Sequence, residues 1–91
     1  MELRLFNLSG MELRLLVMPR GAYRREMLSR EGEGRVYAVI AGRLSVQTCD
    51  QHRPQRTMLV EPGSPLLIDT PGNYHVTADR NSIGVRGERR V

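Results

Sequence analysis

Arg35 and Tyr37 stand two residues apart, as do Asn73, His75 and Thr77, and side chains two apart on an extended strand share one face. A guanidinium, a phenol and an imidazole turned into one space would make an anion site. Arg grips phosphate or carboxylate through paired hydrogen bonds, and His moves protons near neutral pH. Tyr23 could add a second phenol. Each residue also has a structural reading. Arg35 could pair with Glu31, Glu33 or Asp69, His75 could be a hydrogen-bonded structural histidine, and Tyr23 and Tyr37 could be core aromatics with satisfied hydroxyls. Tyr74, out of phase with His75, is expected on the opposite face, where it would suit a subunit interface.

Other chemistries find little support. Cys49 is the sole cysteine, which rules out an intrachain disulfide and a cysteine-rich zinc site. Cys49 and His52 lie three apart in the polar stretch 48–55 (TCDQHRPQ), but no third group orients a thiolate–imidazole pair. All the basic residues are Arg, so Schiff-base chemistry through lysine is excluded. There is no Gly-rich phosphate loop, zinc signature or helix-borne metalloprotease motif. The net charge is +4, yet the arginines are dispersed from Arg4 to Arg90 with acids between them. Only Arg20, Arg24 and Arg25, and the tail with Arg86, Arg89 and Arg90, are clustered. That pattern reads as a solvated surface and argues against nucleic acid as a partner, and the tail reads as a frayed, solvated terminus.

The elements that must position these groups are strands. Short runs rich in Val, Ile, Leu, Thr and Tyr alternate with Gly, Pro, Asn and Asp, and no stretch keeps a helical period. The pattern predicts strands over Glu2–Phe6, Glu12–Met18, Tyr23–Ser29, Arg35–Ala41, Leu44–Thr48, Arg56–Val60, Pro65–Asp69, Tyr74–Ala78 and Ser82–Val85. Pro19-Arg20-Gly21, Glu31 to Gly34, Ala41-Gly42-Arg43, Pro62 to Pro65 and Pro71-Gly72-Asn73 supply the turns. Met-Glu-Leu-Arg-Leu occurs at residues 1–5 and again at 11–15, a duplication that could build a hairpin but is too short for a solenoid. With 91 residues the chain suits a single domain, residues 1–91. No apolar run approaches the roughly 18 to 20 residues of a membrane span. The N-terminus lacks a signal-peptide pattern, so a cytoplasmic location without a membrane is expected.

Residues 35–46 (RVYAVIAGRLSV), then Glu61-Pro62-Gly63, then residues 69–75 (DTPGNYH) resemble the cupins, small jelly-roll barrels. The resemblance covers about the last two thirds of the chain and implies an all-β double-stranded β-helix. Val17 to Tyr23 (VMPRGAY), Ile40 to Val46, Gly63-Ser64 and Pro71-Gly72 look most like the small cupins of the pyrimidine/purine nucleoside phosphorylase type. The metal motif is where the chain departs. Arg35 stands where the cupin pattern G(X)5HXH(X)3–4E(X)6G has its Glu, and Ser29 and Glu31, or Leu28 and Arg30, stand at its two His positions. Only His75 matches the second half, and one imidazole does not hold a transition metal. No metal and no other cofactor is expected.

The resemblance also implies that Arg35 points into the barrel, which by alternation takes Tyr37 and Val39 with it. The resulting expectation is a metal-free module binding a small, anionic or phosphate-containing molecule through Arg35, Tyr37, His75, Asn73, Thr77 and Tyr23. Two alternatives stand beside it. One is a nucleoside phosphorylase-like enzyme, with Arg35 on phosphate, His75 as proton donor or phosphate ligand and Tyr37 on the nucleobase or sugar. The other is an interaction protein with a filled barrel. Exposed strand edges favour a homodimer through an amino-terminal strand or a sheet face.

Overall fold

A computed structural model of the chain describes residues 1–8, 10–49 and 54–89. Nine strands follow one another: β1 (Glu2–Leu8), β2 (Met11–Met18), β3 (Tyr23–Leu28), β4 (Gly34–Ala41), β5 (Leu44–Thr48), β6 (Thr57–Val60), β7 (Leu66–Ile68), β8 (Gly72–Ala78) and β9 (Ser82–Arg89). Each expected strand is present. The last runs on from Val85 to Arg89, so the residues read as a frayed tail are, as far as Arg89, part of the sheet.

The strands form two antiparallel sheets that face each other as a jelly roll, β1-β2-β9-β4-β7 and β3-β8-β5-β6. The duplicated pentapeptide is a hairpin. β1 pairs with β2 so that Leu3 lies opposite Leu15 and Arg4 opposite Arg14. Gly42 turns the chain from β4 to β5 at φ +100°, where a side chain would also run into Ser82 Oγ. No helix among the described residues is long and apolar enough to cross a membrane.

One apolar core lies between the sheets. Leu16 and Met18 of β2, Leu28 of β3, Tyr37 and Val39 of β4, Leu44 and Val46 of β5, Val60 of β6, Ile68 of β7 and Tyr74, Val76 and Ala78 of β8 fill it. Alternation obeys this core in the four-stranded sheet except on β3, where Glu26 is buried in phase with Leu28. The five-stranded sheet is different. On β9 the inward set is Ser82, Gly84, Arg86 and Glu88, all buried, while Ile83 and Val85 turn outward. β2 likewise turns Leu13, Leu15 and Val17 to the phase opposite its buried Leu16 and Met18. Charge is inside and hydrocarbon outside over part of this sheet, and that inversion shapes the rest of the molecule.

Candidate functional site

Arg35 and Tyr37 do point inward from β4, and both are buried. What meets them is not open space. Glu26 reaches across from β3 on the facing sheet, 3 % exposed, and takes a hydrogen bond from Arg35 Nε at 3.1 Å. The Tyr37 hydroxyl donates a short hydrogen bond to the other oxygen of the same carboxylate. Arg86 of β9 donates to both oxygens, Nε at 2.6 Å and Nη2 at 3.0 Å, the forked geometry that suits Arg to a carboxylate. Arg35 is surrounded by acids, with Glu88 at 3.4 Å and Glu33 at 3.7 Å in addition to Glu26. The chain of pairs continues from Glu26 through Arg24 to Glu2, and from Glu2 to Arg14.

Burial pushes the Glu26 carboxyl upward, but the hydrogen bonds from Arg86 and Tyr37 and the charges of Arg86 and Arg24 outweigh it. Its pKa therefore lies below the ordinary carboxylate range. Tyr37 moves the other way, raised first by burial and then by the neighbouring Glu26 charge. Burial works against the Arg86 charge, yet its bonds to Glu26 more than offset this and raise its pKa. The centre is thus an ionised carboxylate locked among guanidiniums and a phenol that keeps its proton. The acceptor that an inward Arg35 requires is supplied by the protein, chiefly by Glu26 and Glu88, with the anticipated Glu33 only at the margin.

The remaining expected residues do not join this centre. His75 shares a face with Asn73 and Thr77, as alternation requires, but that face is the outer one, because Tyr74, Val76 and Ala78 take the core. The inward placement of His75 is therefore corrected, and so is the outward placement of Tyr74. The apolar parity set of a strand goes to the core, and on β8 the resemblance that turned His75 inward opposed it. Tyr23, at 69 % exposure, lies on the same outer surface, its ring 6.4 Å from that of His75. Arg35, Tyr37 and His75 consequently cannot act on one phosphate and one nucleoside together. Cys49 is exposed, with its thiol 3.6 Å from the Gln47 carbonyl, and His52 lies outside the described residues.

Beside the ionic centre the barrel's mouth stays open. Cross-strand register sets Glu26, Tyr74 and Thr48 side by side on β3, β8 and β5, and Arg35 opposite Ile68 on β4 and β7. Beyond Tyr74 is a cavity of about 380 Å³ walled by Met58, Leu67, Ile68 and Tyr74, with Thr48, Arg56, Asp69 and Thr70 as its polar groups. The Tyr74 hydroxyl donates to the Thr70 carbonyl at 2.6 Å, and the Arg56 amide donates to Thr48 Oγ1 at 2.8 Å, which fixes two sides of the opening. Arg56 is exposed, and its guanidinium makes no ion pair among the described residues. Sequence reading passed over Arg56, and it also missed Glu26 and Arg86. Parity was the available signal for the last two, since Glu26 is in phase with Leu28 of the core.

The whole backbone superposes on solved structures. A cupin superfamily protein from Desulfitobacterium hafniense matches over 100% of this chain and 77% of its own, with a TM-score of 0.79 at 11% identity. The fold is that of the cupins. The cupin domain of an XRE-family transcriptional regulator from Enterobacter cloacae matches over 100% of this chain and 96% of that one, with a TM-score of 0.76 at 14% identity. Ectoine synthase from P. lautus matches over 97% of this chain and 62% of its own, with a TM-score of 0.75 at 14% identity. No family model and no curated protein matches the sequence. The residues present do not fit the metal that the cupin fold often holds. Arg35 occupies a ligand position with a guanidinium already enclosed by carboxylates, and Leu28 is core. No group of three or more His, Cys, Asp or Glu side chains suited to a metal occurs among the described residues.

Proposed function

We propose that this cupin-fold domain is a metal-free module that binds a small anionic molecule in the open half of its mouth, with Arg56 rather than Arg35 as the cation that receives it. The carrying observation is the cavity of about 380 Å³, next to an ionic centre in which Arg35 and Arg86 already have carboxylate partners. Small-molecule sites combine an apolar wall with a few convergent polar groups over about 300 to 1,000 Å³. Met58, Ile68 and Tyr74 supply the wall here, Thr48 and Thr70 the hydroxyls, Arg56 the positive charge and Asp69 a carboxylate. The volume suits a compact ligand whose carboxylate or phosphate meets Arg56 while its body lies on Tyr74 and Met58. That a domain of nearly this extent is part of a transcriptional regulator supports a module that binds. The outer-face residues His75, Asn73, Thr77 and Tyr23 have no place in this site.

The test is a thermal-shift screen with phosphate, sugar phosphates, nucleosides and small carboxylates, because a ligand that prefers the folded state raises the melting temperature. A shift with an anionic compound that vanishes in Arg56→Ala, while uncharged nucleosides give none, is expected. Arg56 is exposed, so this variant should keep the wild-type melting temperature without ligand. A shift that survives Arg56→Ala would remove Arg56 from the site. The absence of any shift would favour the interaction protein whose barrel is closed by its own charges.

A further inference from the structure

Two opposite charges line the cavity beside Tyr74, and they do not pair with each other. Arg56 is fastened to β5 through Thr48, its amide donating to Thr48 Oγ1 at 2.8 Å and its carbonyl accepting from the Thr48 amide at 3.0 Å. This carries the pairing of β5 and β6 one residue further and puts Arg56 in phase with Met58 and Val60. Val60 is buried and Met58 packs on the core, so alternation turns Arg56 toward the inner face of the smaller sheet. Asp69 comes from the larger sheet, directly after Ile68 at the end of β7. Among the described residues its carboxylate takes no hydrogen bond and no ion pair. The Thr70 hydroxyl has no partner there either, although the Thr70 carbonyl accepts from Tyr74 at 2.6 Å.

We propose that the anionic group received at Arg56 is the carboxylate of a free amino acid with an apolar side chain, and that Asp69 holds its ammonium. The inference rests on the reading of this cavity as the binding site and names the class of molecule that the site takes. A site for anions alone has no use for Asp69. A carboxylate at the opening repels a phosphate or a dicarboxylate approaching Arg56, and sites discriminate by such repulsion as well as by attraction. A zwitterion turns the same residue into a contact. The two charges stand at the ends of β6 and β7, the edge strands of the two sheets, so a ligand with both charges bridges the opening from one sheet to the other. Between them the wall is Met58, Leu67, Ile68 and Tyr74, with no further charged residue, which suits an aliphatic or aromatic side chain. The Thr70 hydroxyl is available to accept a further hydrogen bond from the ammonium. A cavity of about 380 Å³ lies toward the small end of the range for ligand sites, about 300 to 1,000 Å³, and favours a molecule of amino-acid size over a nucleotide.

The test is calorimetric titration of the full chain with L-leucine and L-phenylalanine, each beside two trimmed forms. Isocaproate and hydrocinnamate lack the ammonium, and isoamylamine and phenethylamine lack the carboxylate. At least one amino acid should bind tighter than both of its trimmed forms by on the order of tenfold, the worth of a hydrogen-bonded charge. Asp69→Asn should abolish its advantage over the acid, and Arg56→Ala its advantage over the amine. Both side chains are exposed, so both variants should keep the wild-type melting temperature without ligand. If phosphate or the trimmed acids bind as tightly as the amino acids, or if Asp69→Asn leaves the advantage intact, the amino-acid inference is overturned and the anion reading of the cavity stands. If none of these compounds binds, both are overturned.

Discussion

Glu26 is one carboxylate serving Arg24, Arg35, Arg86 and Tyr37. Removing one member of a buried ionic set leaves the others uncompensated, at a cost of about 3 to 5 kcal/mol. Glu26→Ala should therefore lower stability by about that amount in denaturant unfolding. Glu26→Leu combined with Arg86→Met should recover much of the loss, because apolar replacement of both partners removes the desolvation cost as well. Acid acts on the same group. Since the folded pKa of Glu26 lies below its unfolded value, its contribution is fully present above the ordinary carboxylate pKa and lost as pH falls through the folded one. The Tyr37 pKa is raised, so its contribution is present below the ordinary tyrosine pKa of 10.0 and lost above it. Melting temperature against pH should fall at both ends, and Tyr37→Phe should remove the fall that Tyr37 adds on the alkaline side.

Among the elements, β9 matters most, because it lies between β2 and β4 at the middle of the larger sheet. Its inward Gly84 faces the register shift of β4, where an added Cβ would stand 2.4 Å from the Ala38 carbonyl oxygen and 3.1 Å from Val39 Cα. Those are backbone atoms that cannot swing aside. Gly84→Ala should cost about 1 to 3 kcal/mol, the usual penalty for forcing bulk into a packed interior, and thermal unfolding would measure it. Gly63 offers the contrast. Nothing lies within 4 Å of an added Cβ there, so any penalty comes only from its φ of +84°. The strands themselves were legible in the sequence, since glycines and prolines mark most of the turns and Asp79-Arg80-Asn81 marks the one between β8 and β9. The extension of β9 to Arg89 was not, because Arg-Gly-Glu-Arg lacks the β-branched residues that mark a strand and is held there by pairing with β2 and β4 on either side.

For the whole molecule, topology sets the folding time. β2 and β4 both pair with β9, at the far end of the chain, so the larger sheet cannot assemble until distant segments meet. Barrels dominated by such contacts fold in milliseconds to seconds. Stopped-flow refolding followed by tyrosine fluorescence, in a chain with three Tyr and no Trp, should show that range; a microsecond phase carrying the full amplitude would contradict it. At this scale the mouth is also divided. Its charged half, reached from β3, β4 and β9, is closed by Glu26 and its partners, and its apolar half, lined from β5, β6, β7 and β8, remains open.

By itself the sequence determined the strands, their turns and the shared face of Arg35 and Tyr37, because period two and turn chemistry are local properties of the chain; that this face is the inner one followed from the resemblance to the cupins. It also carried enough parity to place Tyr74 inward and His75 outward, had the apolar set of β8 been weighed above its resemblance to a metal-binding segment. The partner of Arg35 was decided only by the tertiary structure. Nine residues separate Glu26 from Arg35 in the chain and 60 separate it from Arg86, and nothing local says that β3 will face β4 and β9 across a barrel. Charge satisfaction depends on which sheets oppose each other, so the fold alone determined that these arginines hold the interior together and that Arg56 is left at the opening.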